Sequence, residues 1–120
     1  MTYDQDNIFA KILKGDIPCD KVFESEKTLA FNDISPAAPR HILVIPKGPY
    51  TDIVDFASNA SQDEQADFWA AVTKIAKDEG LNEKGFRSIA NTGDHGGQEV
   101  PHFHLHLLGG EPIGKMRSKD

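Results

Sequence analysis

The stretch Val100–Gly110, VPHFHLHLLGG, sets His102, His104 and His106 at alternate positions in an otherwise apolar run. Val, Phe and Leu favour the pleated conformation, and Pro101 and the Gly109–Gly110 pair bound the segment, so it reads as a β-strand. Successive strand side chains point to opposite faces. Phe103, Leu105 and Leu107 then anchor one face in a core, while the three imidazoles share the other and face a space that a ligand would fill. A single strand histidine is ordinarily a hydrogen-bonded surface or core residue. Three in register without a ligand pack poorly and risk mutual repulsion, so the row itself points to function.

A metal ion and a phosphate are the competing ligands. Neutral imidazole binds zinc at about 2.0 to 2.1 Å. At about 3.3 Å per residue the outer histidines have Cα atoms about 13 Å apart, so all three cannot easily converge on one ion. Two of them with His41 could still do so. Cys19 is the only cysteine and the carboxylates show no ligand pattern, so no metal and no cofactor are expected. An oxyanion is larger and offers several acceptors to neighbouring imidazoles at once. The turn TGDHGGQ feeds directly into the row, and its Gly93, Gly96 and Gly97 would let backbone N–H groups approach an anion. Alone, such a turn is usually just a hairpin connection.

Upstream, Asn7 or Asp6 can cap a short helix with Ile8, Phe9, Ile12 and Leu13 on one side, stopped by Gly15. KVFES and TLAFND read as a hairpin around Glu26 and Lys27. ISPAAPR is an irregular loop, and HILVIP is a strand buried in mid-sheet. Ser61 and Glu64 form a capping box for the main helix, in which Phe68, Val72, Ile75 and Ala76 recur at helical spacing until Gly80. FRSIAN is a further strand. The order predicts an α+β domain with an antiparallel sheet of about five strands, one long helix and one short helix.

With 120 residues, 38% hydrophobic and 27% charged, the chain has enough apolar material for one core and not two. A single domain over residues 1–120 is expected, with its core at about 7–110 and a solvated tail at 111–120. The net charge of -6 and scattered basic residues argue against a nucleic-acid partner. MTYDQDNIF lacks a basic, apolar leader, and the longest apolar stretch, Ile42–Ile45, is far too short for a membrane span. A lone cysteine suits a reducing compartment, so a cytoplasmic protein with no membrane contact is expected.

HFHLHLL resembles the His-x-His-x-His-x-x signature of the histidine triad (HIT) family, with x apolar. IFAKILKGDIP, AFNDISPAAPRHILVIPK and NTGDHGGQEVPHFHLHLLGG resemble the Hint branch, the nucleoside phosphoramidases, over about Asn7 to Gly110. The Fhit-like dinucleoside polyphosphate hydrolases share the triad but lack the DISPAAP type of loop. Galactose-1-phosphate uridylyltransferases carry Gln at the third triad position, so His106 favours a hydrolase.

The resemblance implies a HIT-like fold, a homodimer, and cleavage of purine nucleoside 5'-phosphoramidates through a nucleotidyl-histidine. It makes His104 the nucleophile, His102 and His106 its orienting partners, and His41 the fourth active-site histidine. It gives Asp33 the ribose hydroxyls, Asn91, Gly97 and Gln98 the phosphate region, and Ile8, Phe9, Phe31 and Ile34 the base. A dinucleoside polyphosphate hydrolase and a nucleotide-binding adaptor with incidental turnover are the alternatives. Three residues depart from better-known relatives. DNIFA stands where many carry a cysteine pair for structural zinc, Glu99 stands where animal Hint proteins have Ser on the leaving-group side, and Glu111 replaces Arg.

Overall fold

Hydrogen bonds local in sequence start the helices. The Asn7 side chain accepts the Ala10 N–H at 2.8 Å and begins the first helix. Ser61 and Glu64 make a reciprocal capping box, each bond 3.1 Å, at the start of the longest. Each such cap is worth about 1 kcal/mol. The computed structural model describes residues 2–117. Its elements are α1 (Ile8–Leu13), β1 (Lys21–Glu24), β2 (Thr28–Asn32), β3 (Arg40–Pro46), α2 (Ile53–Asn59), α3 (Gln62–Asp78), α4 (Leu81–Lys84), β4 (Arg87–Ile89), α5 (Gly93–Gly96) and β5 (Leu105–Gly109). Ser118–Asp120, the end of the expected tail, lie outside the described residues.

The strands form one antiparallel sheet in the order β1-β2-β3-β5-β4. Alternation along β3 divides the core in two. Ile42 and Val44 point to the side of α3, where they meet Phe56, Phe68, Ile75, Phe103, Leu105 and Leu107. Leu43 and Ile45 point to the other side, where Phe9 of α1 meets them with Leu29 and Phe31. Phe68 and Phe103 are almost wholly buried, each worth about 1.5 to 3 kcal/mol relative to exposure. None of the described helices is long and apolar enough to cross a membrane.

The α+β class and the five antiparallel strands are as expected, but the helices are not one long and one short. Asp52 caps α2 by accepting the Asp55 N–H at 2.8 Å, and Phe56 buries against Phe68. Gly80 ends α3 in the left-handed region and leads directly into α4. The segment expected as a simple turn contains α5.

The histidine strand also starts later than expected, at Leu105 rather than Val100. Pro101 has no N–H to give to a ladder. The His102 N–H goes to the Val100 carbonyl at 2.9 Å and the Phe103 N–H to the Tyr50 carbonyl at 2.7 Å. Even so, Phe103, Leu105 and Leu107 all reach the α3 side, so the expected alternation of faces persists beyond the ladder itself.

Candidate active site

Leu43 of β3 lies directly opposite His106 of β5, and His41 lies opposite Leu108. His41 and His106 are therefore diagonal neighbours on the α1 face, close enough for long side chains to meet. Their ring nitrogens, His41 Nε2 and His106 Nδ1, are 2.9 Å apart. His104 stacks edge-on against His106, with ring centres 5.0 Å apart, and against Phe9 at 4.9 Å.

These rings line a cavity of about 320 Å³. His41, Leu43, His104 and His106 form its floor, with Phe9 as an apolar wall. Asp33 and Ser35 come from the proline-bounded loop, and Asn91, Gly97, Glu99 and Val100 from the segment before the triad. Among the described residues no Lys or Arg lines it, whereas two carboxylates do. A larger groove, of about 690 Å³, lies at the far end of the sheet around Leu81 and Gly110. Its Arg40 is paired with Glu79, and Arg87 is tied to the Gly114 and Lys115 carbonyls. It holds no imidazole, so the chemistry belongs to the smaller cavity.

Hydrogen-bond partners assign a proton to each ring. Burial pushes the pKa of His102 and of His106 down to about 4, and burial lowers those of His41 and His104 as well. All four are thus neutral at pH 7, each with one N–H and one lone pair. His104 Nδ1 is 2.7 Å from the His102 carbonyl and must donate to it, so the lone pair of His104 sits on Nε2. The Ala37 N–H donates to His41 Nδ1 at 3.0 Å, which puts the His41 proton on Nε2, facing His106 Nδ1. His106 then carries its own proton on Nε2. The cavity presents a free lone pair on one histidine beside a free N–H on the next.

Asp33, His41 and His106 offer three donor atoms within 4.8 Å of one another, a spacing open to a metal ion. The His41 tautomer opposes that use. A metal on Nε2 of a neutral ring needs the proton on Nδ1, where the Ala37 N–H already points. Asp33 Oδ2 is instead 3.5 Å from His41 Nε2, and Asp33 Oδ1 accepts the Ser35 N–H at 2.8 Å.

Of the residues singled out from the sequence, His41, His104, His106, Asp33, Asn91, Gly97, Glu99 and Phe9 meet at the cavity. His102 does not. It has no exposed surface, and its Nε2–H donates to the Pro46 carbonyl at 2.8 Å behind the site. Phe31 is buried beneath Phe9, edge-on at 5.6 Å. Ile8 and Ile34 are 44% and 91% exposed, on α1 and on the loop after Asp33, and do not line this cavity.

Gln98 also turns away. Its amide donates to the carbonyls of Thr51 at 2.6 Å and Val100 at 3.0 Å, and its oxygen accepts the Gly93 N–H at 3.2 Å. The Gly97 and Gln98 N–H groups bond to Asp94 and Gly93, so these three amides hold the loop itself rather than pointing at an anion. Ser35, Leu43 and Val100 were not expected at the cavity. Strand alternation from His41 could have found Leu43; the other two carry no local signal.

The family model described as HIT domain matches residues 14–113. The chain is 50% identical over 118 residues, 98% of its length and 97% of the other's, to an uncharacterized 13.2 kDa HIT-like protein of Azospirillum brasilense. It is 45% identical over 112 residues, 93% of each chain, to the purine nucleoside phosphoramidase of Escherichia coli strain K12. A HIT family hydrolase from Clostridium thermocellum superposes with a TM-score of 0.83 at 41% identity, covering 93% of this chain and 96% of that one. With imidazoles, sheet and family model in agreement, the chain belongs to the HIT-domain family, as a HIT-family hydrolase.

Proposed function

We propose that the cavity hydrolyses the P–N bond of purine nucleoside 5'-phosphoramidates in two steps through His104. The observation that carries this reading is the Nε2 of a neutral, buried His104, unbonded among the described residues, beside the N–H of His106. A neutral imidazole lone pair is the nucleophile that covalent transfer to histidine requires. His104 Nε2 bonds to the α-phosphorus as the P–N bond breaks, and the amine leaves with a proton taken from solvent. Water then attacks the phosphorus and gives up a proton to solvent, which frees Nε2 and releases the nucleoside monophosphate. Throughout, the His102 carbonyl accepts from His104 Nδ1–H and offsets the charge that builds on the ring, and His106 Nε2–H donates to a phosphoryl oxygen.

Asp33 supplies a carboxylate for ribose hydroxyls, Phe9 a wall for the base with Phe31 behind, and Asn91 and Gly97 the phosphate side. Among the described residues a chain of phosphates would meet two carboxylates and no cation, which favours an amine over a second nucleotide as leaving group. The 45% identity to a purine nucleoside phosphoramidase supports the same choice. The reading includes a cytoplasmic homodimer, for which the open edge of β4 offers a ladder.

The test is a substrate pair, adenosine 5'-phosphoramidate and diadenosine triphosphate, with His104→Ala as control. The phosphoramidate should turn over faster, a nucleotidyl mass should be trapped on His104, and the variant should bind AMP without turnover. Faster cleavage of the polyphosphate, or a variant that keeps its kcat, would sink the proposal.

A further inference from the structure

We propose that Tyr3 is a positioning residue for His104, acting through the ring and main chain of His102. The consequence for turnover rests on the reading of His104 as nucleophile; the consequence for the two rings does not.

Tyr3 lies 99 residues from His102 in sequence, yet its hydroxyl is 2.5 Å from His102 Nδ1, and its ring stands edge-on to the imidazole at 5.6 Å. The direction of the bond follows from the other nitrogen. His102 Nε2–H donates to the Pro46 carbonyl, so the neutral ring offers only a lone pair at Nδ1 and the phenol donates. Burial raises the Tyr3 pKa, which keeps the donor in place.

The segment that carries Tyr3 is built to hold it there. The Asp4 carbonyl accepts from the Asn7 side chain at 2.7 Å and from the Asn7 N–H at 3.3 Å, and Asp4 Oδ1 accepts the Asp6 N–H at 2.9 Å. Asn7 in turn caps α1. The first turn of the chain is thereby fastened to the helix that supplies Phe9, and Phe9 packs edge-on against both His102, at 6.3 Å, and His104.

His102 has both ring nitrogens bonded and no exposed surface, so its ring has one orientation. Its carbonyl is the acceptor that fixes the proton of His104 on Nδ1 and leaves the lone pair on Nε2. Removing the phenol oxygen strands a buried acceptor. The His102 ring can then find a partner only by turning, which breaks the Pro46 bond that ties this residue to β3 and frees its main chain, with the carbonyl that His104 depends on, to shift. Tyr3 lines no part of the cavity, so substrate contacts stay as they were.

Tyr3→Phe removes that oxygen alone. On adenosine 5'-phosphoramidate, kcat should fall by about fivefold or more, the scale of one hydrogen bond, with KM within about twofold. In 15N-labelled protein, His102 Nδ1 should move toward the shift of an unbonded imidazole nitrogen, and the His104 Nδ1–H proton should broaden through faster exchange. An unmoved His102 Nδ1 would overturn the proposal by removing the hydrogen bond. A moved His102 with His104 and kcat unchanged would overturn it too, leaving Tyr3 as packing. Should the wild type fail to cleave phosphoramidates, the proposed reaction falls while the two ring signals still decide the role of Tyr3.

Discussion

Acid should loosen this fold through His102, by an amount that follows from its surroundings. The ring is fully buried, and burial pushes its pKa from 6.5 to about 4. In the unfolded chain it titrates near its ordinary value of about 6.5. Above that pH it is neutral in both states and adds nothing to the pH dependence. Between about 6.5 and 4 the unfolded chain binds a proton that the native protein refuses, so stability falls as the pH falls. Below about 4 both states hold the proton and the loss stops growing. The difference between 6.5 and about 4, at about 1.36 kcal/mol for each pH unit, is about 3 kcal/mol. That is a large part of the 5 to 15 kcal/mol typical of a domain, roughly a fifth or more. The assay is urea unfolding of wild type and His102→Gln at pH 7, 6, 5 and 4. Gln can donate to Pro46 and accept from Tyr3, but it does not titrate. Other groups that weaken the fold in acid, His41, His104 and His106 among them, are common to both proteins and cancel in the difference. The wild type should start more stable and lose about 3 kcal/mol of its advantage by pH 4. An advantage constant to within about 0.5 kcal/mol across the series would refute the reasoning.

Activity should hold from neutral into mildly acid solution, because burial lowers the pKa of His104, and fall only when its lone pair is protonated below the ordinary histidine range. A pH–rate profile that rises steadily into acid would contradict a neutral nucleophile. Gln98→Ala removes three hydrogen bonds that tie the pre-triad loop to Thr51, Val100 and Gly93, and should cost about 1 to 3 kcal/mol in thermal unfolding. A change near zero would show that Gln98 does not hold the loop. Glu99→Gln should raise kcat/KM for diadenosine triphosphate relative to an AMP-lysine substrate by about fivefold, since a screened carboxylate at the cavity no longer opposes the extra phosphates. An unchanged ratio at fixed ionic strength would place the Glu99 charge outside the substrate's reach.

What the sequence makes legible here is periodic or adjacent. HILVIP has a composition that only a buried strand accommodates, and it is β3. Ser61 and Glu64 meet within one turn, so the start of α3 can be read from four residues. α2 has a local start of the same kind, an Asp52 cap, but it lies close behind the end of β3 and is only seven residues long, and the sequence reading misses it. Its stability comes from Phe56 packing on Phe68 and Phe103, a tertiary contact that no local window contains. The late start of β5 is illegible for a related reason. It depends on where the N–H groups of His102 and Phe103 go, and one of them goes to Tyr50, half the chain away.

The same distinction explains why three histidines with one spacing end in different roles. Alternation puts them on one side of the chain, and on that level they are equivalent. The bonds that separate them come from elsewhere: Tyr3 and Pro46 hold His102 behind the site, while His41, fixed in turn by Ala37, faces His106. His104 and His106 are each left with an Nε2 that nothing in the described residues occupies, because His104 bonds through Nδ1 to the carbonyl of its neighbour but one and His106 through Nδ1 to His41. Among the described residues no sealed side-chain nitrogen or oxygen lacks a partner, so the two exceptions on the row, His104 Nε2 and His106 Nε2, open onto the cavity rather than into the core. The two exceptions are adjacent and of opposite kind, a lone pair and an N–H, on the floor of the same cavity. A tetrahedral phosphorus with its oxygens satisfies both at once, and a metal ion, which needs two lone pairs there, does not.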